Sequence, residues 1–388
     1  MIPFDAQFFP NRIVFEQGGA KRAGALAGEL GARRAFVICG RTVAANGMLD
    51  TVRSALGARF AGAFPQIESQ NPIACVQRGA AEAEKAGADL LVSIGGGSAM
   101  DGAKVIALIV KTKGDYKPYL VGAKAEERKR LDGPVLPHIA IPTTTGSGSE
   151  VMPSCGCRDP EIPHKLLFLD RGLVPSIALL DPEMTVATSP WLTATSTMTA
   201  AARCIETLYS RRRNPYSTAI ALRGLKLIKE NLPRTILAPD DIEARANCQI
   251  AASLASMAGI AGGGSVVHSV GHITGPRYGL QHGETHALLL PPAMRMLLPE
   301  IGEAQYEVLQ ALGGKTEGLR ADDAGLSAAR AIEDLLAELP LKQRLRELGI
   351  PKAELADVAR QAMQQYMMPQ APRPLALADV TSLLEEAW

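Results

Sequence analysis

The sequence lacks an excess of either charge. Among its 388 residues, 41 are lysine or arginine and 40 are aspartate or glutamate, which gives a formal net charge of +1. A protein that binds nucleic acid or an anionic membrane surface usually carries a concentrated positive charge, so this balance argues against both partners. We therefore expect the ligand to be a small molecule.

Long apolar runs are also missing. Nowhere do 18 apolar residues follow one another, and the opening segment MIPFDAQFFPNR has no basic stretch followed by an apolar one. A membrane-spanning helix needs about 20 apolar residues, and a secretory signal needs both parts of that pattern. The expectation is a soluble, cytoplasmic protein.

Cysteine is scarce. Six cysteines are spread over a long chain that shows no export signal, which favours buried thiols over a disulfide framework. Cys155 and Cys157 form a C-x-C pair, which is a weak metal or redox signal. We favour a pair packed in a loop.

The length and the pattern of the sequence predict two domains. A single hydrophobic core seldom extends over 388 residues. In the first half, short β-type runs alternate with helical segments, which predicts a doubly wound parallel sheet in residues 1–185. The predicted strands are RIVFE, AFVIC, DLLVSI, HIAIP and SIALLD, and two of the predicted helices span Ala20–Leu30 and Val43–Leu56.

The second half has a different pattern. From about Pro190 onward, alanine- and leucine-rich amphipathic segments such as STAIALRGLKLIKENL follow one another without β-type runs. This pattern predicts an all-helical domain over residues 186–388. The boundary is expected within LLDPEMTVATSPW, where a strand ends and aspartate, serine and proline open a helix.

A glycine-rich turn follows the predicted strand DLLVSI. Gly95, Gly96, Gly97 and Ser98 open a helix whose first turn contains Asp101. Successive glycines let backbone N–H groups approach an anion, and the helix N-terminus adds about half a positive charge. The turn is therefore a candidate pyrophosphate site, with a ligand-free strand-to-helix turn as the alternative.

A second polar turn, PTTTGSGSE over Pro142–Glu150, follows the predicted strand HIAI. Its hydroxyls and glycines would lie at the carboxyl edge of the same sheet, where open α/β sheets bind their ligands. Taken alone, it could be a capped loop. Two such turns at one edge favour a dinucleotide site.

Four of the six histidines lie within HSVGHITGPRYGLQHGETH. They are His268, His272, His282 and His286, arranged as two pairs four residues apart. Two residues four apart point to one side of a helix, and imidazole is the commonest transition-metal ligand. By itself, the segment is typical of a metal site.

Four segments together carry a family resemblance. GGGSAMDGAK, PTTTGSGSE, LLDPEMT and HSVGHITGPRYGLQHGETHALLLPPAMR, in this order and spacing, resemble the iron-containing (group III) alcohol dehydrogenase superfamily over essentially the whole chain. The resemblance implies a dehydroquinate synthase-like fold, in which NAD or NADP meets a metal-polarised alcohol or carbonyl in a cleft between an α/β domain and a helical domain. We also expect a homodimer. The positions that the resemblance assigns to the cofactor are Gly40, Arg41, Gly95, Gly96, Gly97, Ser98, Asp101, Thr143, Thr144, Ser149 and Lys165.

The resemblance also locates the four metal ligands of the family, an Asp and a His on one helix and two later His. The corresponding residues here are Thr199, Arg203, His268 and His282, and His272 matches a histidine near the substrate. Threonine is a weak neutral ligand, and a guanidinium stays protonated and repels a divalent cation. We therefore predict that no metal is bound, with a rearranged three-histidine site as the alternative.

One branch of the superfamily, the maleylacetate reductases, is understood to work without the metal. The stretch HGETHALLLPP is similar to the pattern of that branch, particularly at Glu284, Thr285 and His286. The branch generally keeps the helix histidine that Arg203 replaces here. The resemblance to this branch is therefore partial.

The leading interpretation is an NAD(P)-dependent oxidoreductase that acts on a small carbonyl or oxo-acid substrate without a metal. The predicted catalytic residues are Arg203, His268, His272 and His282. They would donate hydrogen bonds to the oxygen on which negative charge develops, and a histidine would supply the proton. The alternatives are a metal-dependent iron-type alcohol dehydrogenase and an inactive homologue that only binds the cofactor.

The cofactor preference is predicted from one turn. Gly40 takes a position at which the superfamily often has aspartate, and Arg41 follows it. A carboxylate there would repel the additional phosphate of NADP. We therefore predict that NADPH is accepted at least as well as NADH; a solvated arginine without a ligand is the alternative.

The substrate class is predicted from one arginine. A guanidinium binds a carboxylate through two parallel hydrogen bonds, so Arg203 predicts a carboxylate near the reactive carbonyl. Arg277 would add to this positive field or lie at the rim of the site. An internal ion pair of Arg203 with Glu206 or Glu284 is the alternative.

Overall fold

The computed structural model describes residues 11–121, 128–133, 135–159, 161 and 166–388, together with Phe4, Ala6, Phe8 and Phe9. In these residues the strands are β1 Arg12–Phe15, β2 Ala35–Cys39, β3 Phe60–Phe64, β4 Leu90–Gly95, β5 His138–Pro142, β6 Ser154–Cys157, β7 Leu166–Leu169 and β8 Ile177–Leu180. The α-helices are α1 Ala23–Glu29, α2 Arg41–Ala45, α3 Met48–Leu56, α4 Ile73–Lys85, α5 Gly97–Thr112, α6 Pro190–Tyr209, α7 Pro215–Leu237, α8 Ile242–Gly262, α9 Val266–Tyr278, α10 His282–Met296, α11 Leu298–Ile301, α12 Ala304–Ala311, α13 Ala321–Ala337, α14 Leu355–Ala362 and α15 Leu377–Ala387.

The chain divides into two compact units. The sheet unit contains Phe9–Thr144 and Gly148–Ala187, and the helical unit contains Thr145–Ser147 and Thr188–Trp388. Thr145–Ser147 therefore belong to the helical unit, although they lie inside the second predicted cofactor turn. Each unit has its own hydrophobic core.

The sheet unit is built on a parallel sheet, as predicted. Its strand order is β1-β8-β5-β4-β2-β3, and every adjacent pair is parallel. Side chains alternate between the two faces along β2. Phe36 and Ile38 pack in a core with α4 and α5, whereas Val37 and Cys39 pack in a second core with α1 and α3. Because both faces are buried, these strands are continuous apolar runs in the sequence.

The sequence pattern does not predict three of the strands, and their composition and pairing explain why. β3 has the sequence FAGAF and β6 has SCGC, so small residues weaken the apolar pattern. β6 pairs with β7 as a separate antiparallel pair. The prediction of a loop around Cys155 and Cys157 is wrong, because both lie in β6, whereas the prediction of free, buried thiols is confirmed.

The predicted helix Val43–Leu56 is broken in two. α2 ends at Ala45 and α3 begins at Met48, and Gly47 between them has a φ of +84°. This left-handed conformation favours glycine and ends the regular helix. The predicted helix Ala20–Leu30 is also shorter in the structure. Gly19–Arg22 form a 3₁₀ turn, and the α-helix α1 covers only Ala23–Glu29.

The helical unit confirms the predicted all-helical second half in the part of the chain that the structure describes. α6 begins at Pro190, where Ser189 Oγ accepts a hydrogen bond from Leu192 N at 3.3 Å, as the Ser-Pro signal predicts. α6 packs against α7, α8 and α10 in the core of the unit. Among the described helices, no single one is long and apolar enough to cross a membrane, and α8 and α9 meet that test only as a pair bent by 114°.

His138, the first residue of β5, is a buried histidine in the sheet. Its Nε2 lies 2.7 Å from Ser93 Oγ on the neighbouring strand β4. Burial, with the nearby Lys104 charge as a second cause, lowers the pKa of His138 to about 3. The folded protein therefore holds this imidazole in its neutral form.

We predict that His138 makes the stability of the fold depend on pH. Its pKa rises from about 3 in the folded chain to about 6.5 in the unfolded chain, so the unfolded state binds more protons between these values. The free energy of unfolding should fall as the pH is lowered below about 6.5, by up to about 1.4 kcal/mol per pH unit from this residue. Denaturant titrations of wild type and His138→Gln from neutral pH down to pH 4.5 measure this, and equal slopes in the two proteins would contradict the prediction.

Candidate active site

Three turns lie side by side at the carboxyl edge of the sheet. Cys39 is paired with Ile94, and Gly95 with Pro142, so β2, β4 and β5 end level with one another. The strand order also reverses between β2 and β4, which is the point at which open α/β sheets bind ligands. The predicted cofactor residues in these turns are Gly40, Arg41, Gly95, Gly96, Gly97, Ser98, Thr143 and Thr144.

The first two glycines of the glycine turn are closely packed. Gly95 has a φ of +147°, and a Cβ on it would lie 2.7 Å from the Ala99 Cβ. A Cβ on Gly96 would lie 3.1 Å from Thr144 Oγ1, so the two predicted cofactor turns are in contact. α5 begins at Gly97 and runs for 16 residues, which places the positive end of its dipole at this edge.

Asp101 and Ser149 bind each other. Ser149 Oγ donates a hydrogen bond to Asp101 Oδ1 at 2.7 Å, and Asp101 Oδ2 accepts one from Gly156 N at 3.2 Å. Lys104 is buried beside them and donates to Ser149 Oγ at 2.8 Å and to the carbonyl oxygen of Met152 at 2.8 Å. Burial lowers the pKa of the Lys104 ammonium. These contacts fix the second cofactor turn against α5, a role for Lys104 that the sequence analysis does not identify.

The four histidines lie on two helices that meet. His268 and His272 are on α9, and His282 and His286 are on α10. The ring centres of His268 and His286 are 4.3 Å apart. His282 lies 5.9 Å from His286 and 5.7 Å from His272, measured between ring centres. The structure thus joins the two predicted pairs into one group, the histidine cluster.

Two glycines on α9 make room for the rings of α10. A Cβ on Gly271 would lie 2.2 Å from His286 Nε2, and a Cβ on Gly275 would lie 2.9 Å from His282 Nδ1. Each glycine follows a histidine of α9 by three residues, in the pattern H-x-x-G-H-x-x-G. Glycine at these positions lets the two helices approach closely enough for the cluster to form.

Glu206 on α6 holds the start of α9. Its Oε1 accepts a hydrogen bond from Val267 N at 2.6 Å, and its Oε2 accepts one from His268 N at 3.2 Å. Oε2 also lies 2.5 Å from Nδ1 of the His268 ring. Ser265, which precedes α9, makes no capping hydrogen bond with its side chain, so the carboxylate of Glu206 takes that role.

The inner half of the histidine cluster is buried and polar. Nε2 of His268 and both ring nitrogens of His286 have no hydrogen-bond partner among the described residues. Burial, followed by the neighbouring His268 ring, lowers the pKa of His286 well below its ordinary value. His286 is therefore neutral at neutral pH, whereas His272 and His282 are half-buried and form the more accessible part of the cluster.

Arg203 lies one turn after Thr199 on α6 and is half-buried. Its Nη1 donates hydrogen bonds to the carbonyl oxygen of Ser147 at 3.0 Å and to Ser256 Oγ at 2.5 Å. The charge of Arg203 is one of the causes that lower the pKa of His286, after burial and the other histidines. The guanidinium therefore acts electrostatically on His286, a buried ring of the histidine cluster.

Arg277 has a different environment. It donates hydrogen bonds of 2.5 Å to Asp357 Oδ2 and of 2.5 Å to Glu354 Oε2, so its charge is paired on the surface. Of the two alternatives for Arg277, this pairing favours a residue at the rim over a contribution to the positive field of the site. Glu284, one of the carboxylates considered for Arg203, accepts a hydrogen bond from a backbone N–H at the start of its own helix.

Comparison with known proteins identifies the family. Residues 10–182 match the model of the iron-containing alcohol dehydrogenases, and residues 193–388 match the model of the C-terminal part of the Fe-containing alcohol dehydrogenase family. The chain belongs to the iron-containing alcohol dehydrogenase family. It is therefore an oxidoreductase, as the resemblance implies.

Relatives of this iron-type dehydrogenase match it over its whole length. The NAD-dependent methanol dehydrogenase of Bacillus methanolicus is 29% identical over 384 residues, which cover 98% of this chain and 99% of the relative. The maleylacetate reductase of Rhizobium sp. (strain MTP-10005) is 29% identical over 388 residues, which cover 100% of this chain and 98% of the relative. The crystal structure of a 1,3-propanediol oxidoreductase superimposes with a TM-score of 0.94 at 26% identity, over 100% of both chains.

The family name implies a metal, but the side chains at the predicted ligand positions do not fit one. The Thr199 hydroxyl donates a hydrogen bond to the carbonyl oxygen of Thr195 at 3.4 Å, and Arg203 brings a fixed positive charge. A neutral hydroxyl and a guanidinium supply neither the negative charge nor the strong lone pairs that a divalent cation needs. Within the described part of the chain, no group of three or more His, Cys, Asp or Glu side chains is placed to hold a metal ion.

Three contacts of these sites are identified only by the structure: Glu206 with His268, Ser256 with Arg203, and Lys104 with Ser149. Glu206 lies three residues after Arg203 on α6, and Ser256 lies on α8, more than 50 positions away in the sequence. Lys104 follows Asp101 by three residues. Spacing of three along a helix is the one signal that could have identified Glu206 and Lys104. The predicted cofactor residue Lys165 lies outside the described residues.

Proposed function

We propose that this dehydrogenase transfers a hydride between NAD(P) and a small oxo-acid or semialdehyde, without a metal ion. The observation that supports this proposal most directly is the guanidinium of Arg203, which is held by Ser147 and Ser256 and whose charge helps to lower the pKa of His286 in the histidine cluster. A fixed cation and hydrogen-bond donors can replace a Lewis acid in stabilising an oxygen on which negative charge develops.

The reaction requires two separate transfers. In the reducing direction, the hydride passes from the nicotinamide to the carbonyl carbon, the C=O double bond becomes a single bond, and the oxygen takes one proton. His286 has its pKa lowered by burial and by its neighbours, so it does not supply this proton at neutral pH. His272 and His282 are the more accessible rings of the cluster and are the proton donors that we propose. Glu206 orients His268 behind them.

Arg203 also gives the proposal its substrate class. A guanidinium and a carboxylate form two parallel, charge-assisted hydrogen bonds, which a neutral aldehyde cannot make. Of the relatives described above, the maleylacetate reductase has an oxo-acid in its name, and the methanol dehydrogenase does not. We infer from Arg203 that the substrate of this chain carries a carboxylate, as an oxo-acid does, although this arginine replaces the helix histidine that the maleylacetate reductases generally keep.

We predict that Arg203 discriminates between oxo-acids and neutral aldehydes. Two matched pairs test this, glyoxylate with acetaldehyde and succinic semialdehyde with butanal. Wild type should prefer the acid in each pair, and Arg203→Gln should lower kcat/KM for the acid about 30-fold to 100-fold more than for the aldehyde, since a charged hydrogen-bonded pair is lost.

The control for this prediction is Arg277→Gln. Arg277 is an arginine of the same unit, and its charge is already paired with two carboxylates. Its replacement should therefore leave the ratio of kcat/KM for the acid to kcat/KM for the aldehyde unchanged. Equal efficiency of wild type toward acid and aldehyde would show that Arg203 does not bind a carboxylate.

We predict that activity does not depend on a divalent metal. Replacing the family's Asp and His by Thr199 and Arg203 changes the charge of the four positions from one negative to one positive charge. At a separation of a few ångströms, a like-charge contact costs on the order of several kcal/mol even at an effective dielectric constant near 20, which lowers the affinity by several powers of ten.

The test is activity after exhaustive chelation, with the metal content of the same sample measured by mass spectrometry. Full activity at negligible metal content is expected, and loss of activity that zinc or ferrous iron restores would contradict the prediction. The double variant Thr199→Asp with Arg203→His restores the charge and the donors of the family pattern. It should bind about one metal ion per chain.

We predict that NADPH is used at least as well as NADH. Arg41 is exposed at the carboxyl end of β2, directly after Gly40. Gly40 has an ordinary extended backbone, and a Cβ on it would be 3.6 Å from the nearest atom, so a side chain is tolerated there. Gly40→Asp should therefore shift the ratio of kcat/KM toward NADH by tenfold or more, through repulsion of the additional phosphate. A strong preference of wild type for NADH in parallel assays would refute the prediction.

A further inference from the structure

The side chain of Arg203 is held by a small set of contacts on α8 and on the second turn. Ser256 Oγ and the carbonyl oxygen of Ser147 both accept hydrogen bonds from Nη1, at 2.5 Å and 3.0 Å. Ser256 Oγ also donates to the same carbonyl oxygen at 3.3 Å. One corner of the guanidinium is therefore fixed by two acceptors that are themselves joined.

The aliphatic part of Arg203 is held by a glycine. A Cβ on Gly259, one turn after Ser256 on α8, would lie 2.9 Å from Arg203 Cδ and 3.0 Å from Cγ. Gly259 lies inside a regular helix and has no positive φ, so the absence of a side chain reflects the space that the arginine occupies. We call Ser256, Gly259 and the Ser147 carbonyl the Arg203 anchor.

The carbonyl of the anchor belongs to a rigid segment. Thr145 Oγ1 lies 2.6 Å from Thr197 Oγ1 on α6, and a Cβ on Gly146 would lie 1.9 Å from the carbonyl oxygen of Ser196. The segment Thr145–Ser147 is therefore pressed against the same helix that carries Arg203. The Ser147 carbonyl, which accepts a hydrogen bond from Arg203 Nη1, is therefore held close to α6.

We propose that the Arg203 anchor determines substrate specificity by holding the guanidinium plane ready for the carboxylate of the substrate. Ser256 and Gly259 are positioning residues in this account, because they act through Arg203. The inference rests on the proposed function. Its physical reason is entropic, since an arginine held in one orientation loses little freedom when it binds a carboxylate, whereas a mobile one must be ordered first.

The first test is Ser256→Ala, which removes one acceptor and leaves the rest of the anchor. We expect KM for succinic semialdehyde to rise about tenfold and kcat to change less than twofold, with butanal kinetics and the dissociation constant of NADPH within twofold of wild type. The matched control is Ser269→Ala, a buried serine on α9 whose hydroxyl donates to the carbonyl oxygen of Ser265. It should change none of these quantities.

A binding measurement gives a readout that is independent of turnover. Malonate, an unreactive dicarboxylate, is titrated calorimetrically into the complex of the protein with NADP⁺. Its dissociation constant should rise about tenfold in Ser256→Ala and in Gly259→Ala, where the new methyl group displaces the arginine stem. In the Arg203→Gln background, Ser256→Ala should have no further effect, because the anchor then has nothing to position.

The outcomes separate the two proposals. If wild type does not prefer the oxo-acid, the carboxylate role of Arg203 fails, and the inference about its anchor fails with it. If wild type prefers the oxo-acid and Arg203→Gln abolishes the preference, but Ser256→Ala and Gly259→Ala keep it, the anchor alone is refuted. Equal effects of Ser256→Ala on malonate binding in the wild-type and Arg203→Gln backgrounds would also refute it, because the serine would then act independently of Arg203.

Discussion

The carboxylate of Glu206 is the contact on which the arrangement of the histidine cluster depends. A carboxylate buried to this degree is tolerated only when its oxygens are hydrogen-bonded, and here two backbone N–H groups and an imidazole ring do so. The same contact fixes where α9 begins relative to α6 and how the His268 ring is turned. His286 packs on His268 and His282 on His286, so the ring that Glu206 holds is the first member of a chain of ring contacts.

The parts of the fold that sequence alone predicts are those in which one physical signal dominates. Strands buried on both faces, such as β2, β4 and β5, are apolar runs, and the start of α6 is marked by a serine cap before a proline. β3 and β6 contain small residues whose strand conformation is decided by neighbouring strands, and no local signal reports that. The break between α2 and α3 depends on the backbone angle of Gly47, which the surrounding helical pattern conceals.

The candidate site also contains some features that the sequence predicts and others that only the structure reveals. The cofactor turns can be predicted because parallel strands end at one edge, so residues far apart in sequence are brought together by topology alone. The histidine pairs can be predicted because helical spacing is local. The partners of Arg203 and His268 cannot, because Ser256 and Glu206 come from helices 53 and 62 positions away, and several polar residues of those helices compete for each role. Only the packing of α6 against α8 and α9 selects among them.

Because of Gly259, replacement of Arg203 by a smaller residue should lower the stability of the fold. With a histidine in place of the arginine, the shorter side chain would leave the space beside Gly259 without atoms to fill it, and an unfilled space in a packed interior lowers stability. A larger residue at position 259 would fill this space only if position 203 changed with it, because a Cβ on Gly259 would lie 2.9 Å from Arg203 Cδ. The two positions are therefore coupled, and we expect a change at either one alone to lower stability more than a joint change.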